Sequence, residues 1–344
     1  MAVLGLDIGG ANLKAADCLG NWAQRPFAIW KSPASLAAEL RALIEPFSGI
    51  DHVAVTMTAE LADCYRTKEE GVRQIVSAVQ SVAGATLVSV WSTRGTLMAS
   101  TAVQFNDLFL TASNWHALAT WLAAKHFESQ DALLIDIGTT TTDIIPLGQS
   151  RVYATGRTDF QRLVAGELVY TGIRRTPLCA VTQAVRLNEQ SCPLAAELFA
   201  TIQDVYLLLG DFPEDPHDCD TANGRAATRD EAWDRLVRQL CCDRTEISLP
   251  DAVKIAQDIA RQQERQIGTA LELALRSTPI GYDCQMVVVS GSGRFLAQRV
   301  IANNDALRSV KVLDISELLY PAVPEVACAY AVAQLASVPR HSVS

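Results

Sequence analysis

Residues 132–148 read ALLIDIGTTTTDIIPLG: an apolar run carrying Asp136, then Gly138, four threonines, Asp143 and a second apolar run. A short apolar run stopped by a glycine turn reads as a buried strand handing over to another strand. The opening of the chain repeats it. In AVLGLDIGGANLKAADC (2–18), aligning Asp7 on Asp136 superposes L-x-L/I-D-I-G, with a second apolar run after the turn and an offset of about 129 residues. One strand-turn-strand unit therefore occurs twice.

Working outward, Leu36–Ile44 has helical apolar spacing, and Val53–Met57 and Thr86–Val90 read as strands. Gly71–Val82 reads as a helix and Trp115–Lys125 as an amphipathic one. Strands alternating with helices indicate α/β layers rather than a bundle or sandwich. After the second turn, Val152–Ala154 reads as a strand and 178–209 as largely helical. Residues 211–230 hold two prolines and six acidic residues with hardly any large apolar side chain, an exposed loop of a length uncommon unless functional. A long helix over 249–276 follows, with Pro250 near its start. MVVVS (286–290) is a third apolar strand, followed by Gly291-Ser292-Gly293 and a helix, and Pro324–Leu335 is an alanine-rich final helix.

The 344 residues are long for one core and comfortable for two domains. Apolar residues make up 49% and charged residues 19%, which excludes disorder, collagen and coiled coil. With 29 Lys and Arg against 38 Asp and Glu, the net charge of −9 gives no global footprint for nucleic acid. Nine cysteines without C-x-x-C spacing read as reduced thiols, no histidine grouping has zinc spacing, and no run suits a signal peptide or membrane span. The expectation is a soluble, cytoplasmic protein with no membrane partner.

The glycine turns carry the chemistry. Asp7 ends a strand with Gly9 and Gly10 behind it, leaving backbone N–H groups open to an anion, and Asn12 and Lys14 alternate toward the same side. D-x-G-G alone equally describes a tight hairpin with a capped aspartate. Gly138, Thr139, Thr140, Thr141 and Thr142 offer hydroxyl and amide donors between Asp136 and Asp143, and an aspartate beside bound phosphates suits Mg²⁺. Two such turns facing each other can clamp a polyphosphate. Gly291, Ser292 and Gly293 at a helix N-terminus suit a nucleotide or another anion.

In this order the three turns resemble the superfamily of actin, the heat-shock chaperone ATPases and the sugar kinases, over essentially the whole chain. The resemblance implies two ribonuclease-H-like domains facing across a cleft. They would be a first over 1–128, completed by a helix in 324–340, and a second over 129–323 with an inserted loop near 210–230. It also implies the two turns around phosphates and Asp7 and Asp136 near a metal. TGRTDFQRLVAGELVYTGIRRTP (155–177) is similar to the hydantoinase and oxoprolinase-like branch. VTMTAELAD (55–63), Asn114-Trp115, GELVYTG (166–172) and the loop ending in TANGR (221–225) resemble a small group within it. That group works in methanofuran biosynthesis and in tetrahydromethanopterin-linked one-carbon transfer.

What this group implies is a transferase. It would condense an aminomethylfuran-methyl diphosphate with the phenol oxygen of γ-glutamyltyramine and release pyrophosphate. Mg²⁺ is then the expected cofactor, and the partners are small anionic substrates, a diphosphate and glutamyl carboxylates, with a homodimer left open. The phenol needs a base, since its ordinary pKa is about 10. Glu60, after the strand VAVTMT, is the first candidate, although a solvated helix N-terminal carboxylate fits the same position. Asp143 is the competing base or metal ligand. Arg157, Asp159, Arg162, Arg174 and Arg175 are candidates for orienting anionic substrate, since a chain this acidic needs local positive charge. An ATP-dependent small-molecule kinase, with ATP at 291–293, and a nucleotide-binding regulator are the alternatives. The acidic loop is either a lid or a solvated insertion.

Overall fold

A computed structural model describes residues 2–187, 190–278, 284–319 and 324–338. In its first half, strands β1 (Val3–Ile8), β2 (Asn12–Asp17), β3 (Trp22–Pro26), β4 (His52–Met57), β5 (Leu87–Ser92) and β6 (Thr96–Ala99) accompany helices α1 (Leu36–Ile44), α2 (Lys68–Ala83) and α3 (Asn114–His126). The second half begins with β7 (Asp131–Ile137), β8 (Thr142–Gly148), β9 (Arg151–Val152), α4 (Asp159–Ala165) and β10 (Leu168–Val169). It continues through α5 (Leu178–Val181), β11 (Ala184–Leu187), β12 (Gln190–Pro193), α6 (Ile202–Leu209), α7 (Arg229–Arg238) and α8 (Leu249–Arg276). β13 (Met286–Ser290), α9 (Arg294–Ala302), β14 (Lys311–Asp314) and α10 (Ala327–Ser337) complete it.

The sheets run β3-β2-β1-β4-β5-β6 and β10-β8-β7-β13-β14. In each, the first strand of the repeat pairs antiparallel with its successor and parallel with a strand reached through helices. Five strands of one sheet therefore match five of the other in order and direction, with β6 and β9 as additions. This duplicated α/β build is the actin-like ATPase fold.

All six residues of β1 are buried, which explains a continuous apolar run where a half-exposed strand would alternate. Leu4, Leu6 and Ile8 face α1 and α2. Val3 faces α10, and a Cβ on Gly5 would lie 1.9 Å from the Ala329 carbonyl oxygen, so the helix rests directly on the strand. On the second sheet Leu133, Ile135, Val287 and Val289 join the core of α6, α8 and α9, while Ala132, Leu134 and Val288 face α3 and α10. The result is five layers, with α3 and α10 shared between the sheets.

That shared layer corrects one expectation. α3 is not amphipathic: Trp115, His116, Leu118, Trp121 and Leu122 are all buried, because the helix has a sheet on either side. The stretch 178–209 is not largely helical either. α5 ends after one turn, a β11–β12 hairpin follows, and Pro193, which no helix interior tolerates, closes it. α6 starts only at the Thr201–Asp204 capping box. Of the strand expected at Val152–Ala154 only Val152 is in one, as the second residue of β9. The acidic stretch is anchored, with Asp211 receiving both Arg299 nitrogens at 2.8 and 2.7 Å and Asp218 receiving Arg174 at 2.8 Å. Residues 1, 188–189, 279–283, 320–323 and 339–340 of the expected domain segments lie outside the described residues. Among the described residues no helix is long and apolar enough to cross a membrane, and all nine cysteines are free thiols.

Candidate functional site

The two glycine turns close with the same bond: Gly9 N–H donates to Asn12 O at 3.0 Å and Gly138 N–H to Thr141 O at 2.9 Å. The register is also shared. Asp7 stands opposite Lys14 on one side and Thr56 on the other, and Asp136 opposite Asp143 and Ser290. Lys14 and Asp143 are thus equivalent positions, as are Thr56 and Ser290.

Both turns open onto one cleft of about 630 Å³ between the sheets, within the usual range for small-molecule sites. Asp7, Gly9, Gly10, Asn12, Lys14, Glu60, Asp136, Gly138, Thr139, Thr140, Thr141, Asp143, Asp159, Arg162, Arg175, Gly291 and Ser292 line it. Four of the expected site residues do not. Thr142 occupies the place of the buried Leu13 in the other copy, so alternation points it inward, where its hydroxyl donates to Thr171 O at 2.8 Å. Gly293 packs on Ile137 and Ile173 and donates its N–H to Ile137 O. Arg157 donates to Thr93 O and lies 2.8 Å from His116 Nε2, joining the halves away from the cleft. Arg174 is held by Asp218 and Asp220 of the acidic loop.

The segment 171–176 backs the threonine turn. Ile173 donates to Gly138 O, and Arg174 and Arg175 donate their backbone N–H groups to Thr139 O. Only a glycine fits at 172, since a Cβ there would meet Gly138 O at 2.5 Å. Gln263 of α8 braces this segment, donating to Thr171 Oγ1 at 2.8 Å and Gly172 O at 2.7 Å.

Burial sets the charges. Asp7 is 5% exposed with Oδ1 unpartnered, and desolvation raises its carboxyl against the pull of Lys14. Asp136 is pushed up to about 6, by burial first and by Asp143 second. Asp143 has a counterion in Arg162, at 2.8 Å, and the Arg162 guanidinium, 1% exposed, lies 3.9 Å over the Trp115 ring. Glu60 is 1% exposed rather than solvated. Its Oε1 accepts the Ala112 N–H at 3.1 Å and its Oε2 has no partner. Burial lifts Glu60 to about 7, partly offset by its own backbone hydrogen bond and by Lys68, with Asp159 adding to the rise. Lys68 and Asp159 pair at 3.9 Å between α2 and α4, so the halves also meet beside Glu60.

Among the described residues no three His, Cys, Asp or Glu side chains form a ready metal cage. The donor set still fits Mg²⁺, which is commonly held by one or two carboxylates and completed by water and substrate phosphate. The orphaned Asp7 Oδ1 and the raised Asp136 are the residues that would hold it.

Sequence reading missed Lys68, Trp30, Leu61, Tyr170, Ser290 and Cys328. Trp30 carries the Arg175 guanidinium 4.9 Å from its ring, and Leu61, Tyr170, Arg294 and Cys328 line the cleft. Ser290 had a legible signal as the counterpart of Thr56 once the repeat is extended to the third strand.

Comparison with known proteins places the chain in a family. The chain is 33% identical over 337 residues to the (4-{4-[2-(γ-L-glutamylamino)ethyl]phenoxymethyl}furan-2-yl)methanamine synthase of Methanocaldococcus jannaschii, covering 97% of each chain. A protein of the same name from Methanococcus vannielii is 28% identical over 188 residues, 55% of this chain and 82% of that one. Both are named as synthases of a furan-methanamine that carries a γ-glutamylaminoethyl-phenoxymethyl group. Among solved structures, nucleotide-free acetone carboxylase matches with a TM-score of 0.52 at 11% identity, over 96% of this chain and 70% of that one, a likeness of fold alone. Residues 51–340 match the hydantoinase/oxoprolinase family, and the chain belongs to it.

Proposed function

We propose that this chain is a synthase forming an aryl furfuryl ether, joining an aminomethylfuran-methyl diphosphate to the phenol oxygen of γ-glutamyltyramine with release of pyrophosphate. The observation that carries this reading is the placement of Glu60. A buried carboxylate with one free oxygen lines the same cleft as two opposed anion-binding turns.

The diphosphate is received by the backbone N–H groups of the two turns, by Thr139, Thr140 and Thr141, and by Lys14. Mg²⁺, when bound, supplies further neutralisation of the leaving group's charge. As the bond between the furfuryl carbon and the diphosphate oxygen breaks, positive charge grows on that carbon and negative charge on the leaving oxygens. Donors fixed in the cleft stabilise the second without reorganising. The phenol oxygen forms the new C–O bond, and its proton passes to Glu60. A carboxylate near 7 is matched to that task at neutral pH. Arg175, Arg162 and Asp159 orient the remaining charged groups of the substrates.

The test is product analysis with the full-length protein, Mg²⁺ and both substrates in the absence of ATP. The reading expects ether and pyrophosphate in equal amounts. ATP hydrolysis with no ether under any condition would replace it with a kinase or ATPase using Gly291 and Ser292.

A further inference from the structure

Two large apolar side chains of the cleft have no part in the chemistry above. Leu61, next in the chain to Glu60, is 63% exposed, and Tyr170, two residues before Gly172, is 68% exposed; both line the cleft. They come from different walls, Leu61 from the segment leaving β4 and Tyr170 from the segment leaving β10. Single exposed apolar residues are ordinary on a protein surface. Two from different halves of the chain lining one cleft, one of them adjacent in sequence to a buried carboxylate, are different, because an apolar ligand entering there removes both from water.

The charges around them restrict the occupant. The inner part of the cleft holds Asp7, Asp136, Asp143 and Lys14, a setting for a cation and phosphates. Leu61 and Tyr170 supply no charge, and the Tyr170 hydroxyl has no hydrogen-bond partner among the described residues. Arg175, in the same lining, is stacked on Trp30 and has no carboxylate partner among the described residues, so it is free to receive one. An uncharged flat ring, a hydroxyl for Glu60 and an anionic tail for Arg175 match these three features together.

We infer that Leu61 and Tyr170 form the subsite for a hydroxyl-bearing aryl ring, with its oxygen directed to Glu60 and a carboxylate-bearing tail directed to Arg175. This rests on the synthase reading and locates that reaction's acceptor. The ring is held by apolar contact with both walls, so the subsite is complete only when both halves contribute. The exposed Phe160 and Val164 of α4 lie outside the cleft lining and have no role in it.

The experiment is calorimetric titration of full-length protein with γ-glutamyltyramine in the presence of Mg²⁺ and pyrophosphate. Leu61→Ser and Tyr170→Ala should each weaken binding roughly five- to tenfold, the scale of losing one apolar or aromatic contact. Tyr170→Phe, which keeps the ring, should recover most of the affinity lost in Tyr170→Ala, Phe160→Ala should bind like wild type, and pyrophosphate affinity should be unchanged throughout, which also verifies folding. Unchanged acceptor affinity in both Leu61→Ser and Tyr170→Ala overturns the subsite, even where ether formation proceeds normally. If wild type binds no γ-glutamyltyramine and forms no ether, the synthase reading itself fails and the subsite with it. Steady-state turnover gives a second readout, with KM for the acceptor raised and KM for the diphosphate unchanged.

Discussion

Lys14 and Asp143 occupy the same place in two copies of one motif, each opposite the aspartate that ends its sheet's first strand. The consequence is electrostatic. Asp7 faces an ammonium group that favours its ionised form, whereas Asp136 faces a second carboxylate that disfavours it. One side of the cleft can therefore neutralise an anion with a fixed side chain. The other collects negative charge of the kind a divalent cation offsets.

Lys14→Met should weaken pyrophosphate binding by roughly ten- to a hundredfold, the scale of a charge-assisted hydrogen bond lost. Titration calorimetry reads this directly. Affinity within twofold of wild type would mean that Lys14 does not contact the diphosphate.

Asp143→Asn has two separable effects on stability. It leaves the buried Arg162 guanidinium without its counterion, a loss of about 3 kcal/mol or more at neutral pH. It also removes repulsion from Asp136. Because the folded pKa of Asp136 is raised to about 6, its contribution to stability is present below about 4 and lost as pH climbs through 6. The variant should lose less over that window. Urea denaturation at several pH values should give a curve that lies lower and is flatter between pH 4 and 6.

Glu60→Gln should raise stability at pH 8. The wild-type carboxyl, lifted to about 7, favours folding in its protonated form and loses that contribution as pH rises from about 4.5 through 7. Glutamine keeps the acceptor for Ala112 and carries no charge. The gain at pH 8 is on the order of 3 kcal/mol and should vanish near pH 4. Matching pH profiles for variant and wild type would contradict the burial argument.

Gly5→Ala tests the shared helical layer. The added methyl would lie 1.9 Å from the Ala329 carbonyl oxygen, so β1 and α10 must separate. A loss of about 3 kcal/mol or more is expected in denaturant unfolding, at the upper end for overpacking. A near-neutral result would show that α10 does not bear on β1.

The repeat was legible because it is local. L-x-L/I-D-I-G places an aspartate at the end of a strand and a glycine in the turn without reference to the rest of the chain. α1, α8 and β13 were readable within their own windows for the same reason. Thr142 was misread because four identical residues hide the alternation that sends every second side chain inward; the buried Leu13 in the other copy shows where it goes. α3 reads as amphipathic until its second covering sheet is known. Arg157 and Arg174 have the charge of substrate ligands, and only the fold reveals that Thr93 and Asp218 engage them. Lys68 carries no motif, and Leu61 and Tyr170 lie inside the segments 55–63 and 166–172 without a chemical signature of their own; their importance comes from which wall of the cleft they reach.

The central claim is that Glu60 takes the phenol proton in a cleft that binds the diphosphate independently. The most direct measurement is the pH dependence of kcat/KM for ether formation, wild type against Glu60→Gln, with diphosphate affinity measured in parallel. The account expects an acidic limb near pH 7 in wild type. In the variant it expects loss of that limb and a fall of roughly 10²- to 10⁴-fold, with diphosphate affinity unchanged. A variant that keeps the limb and turns over within a few-fold of wild type would contradict it.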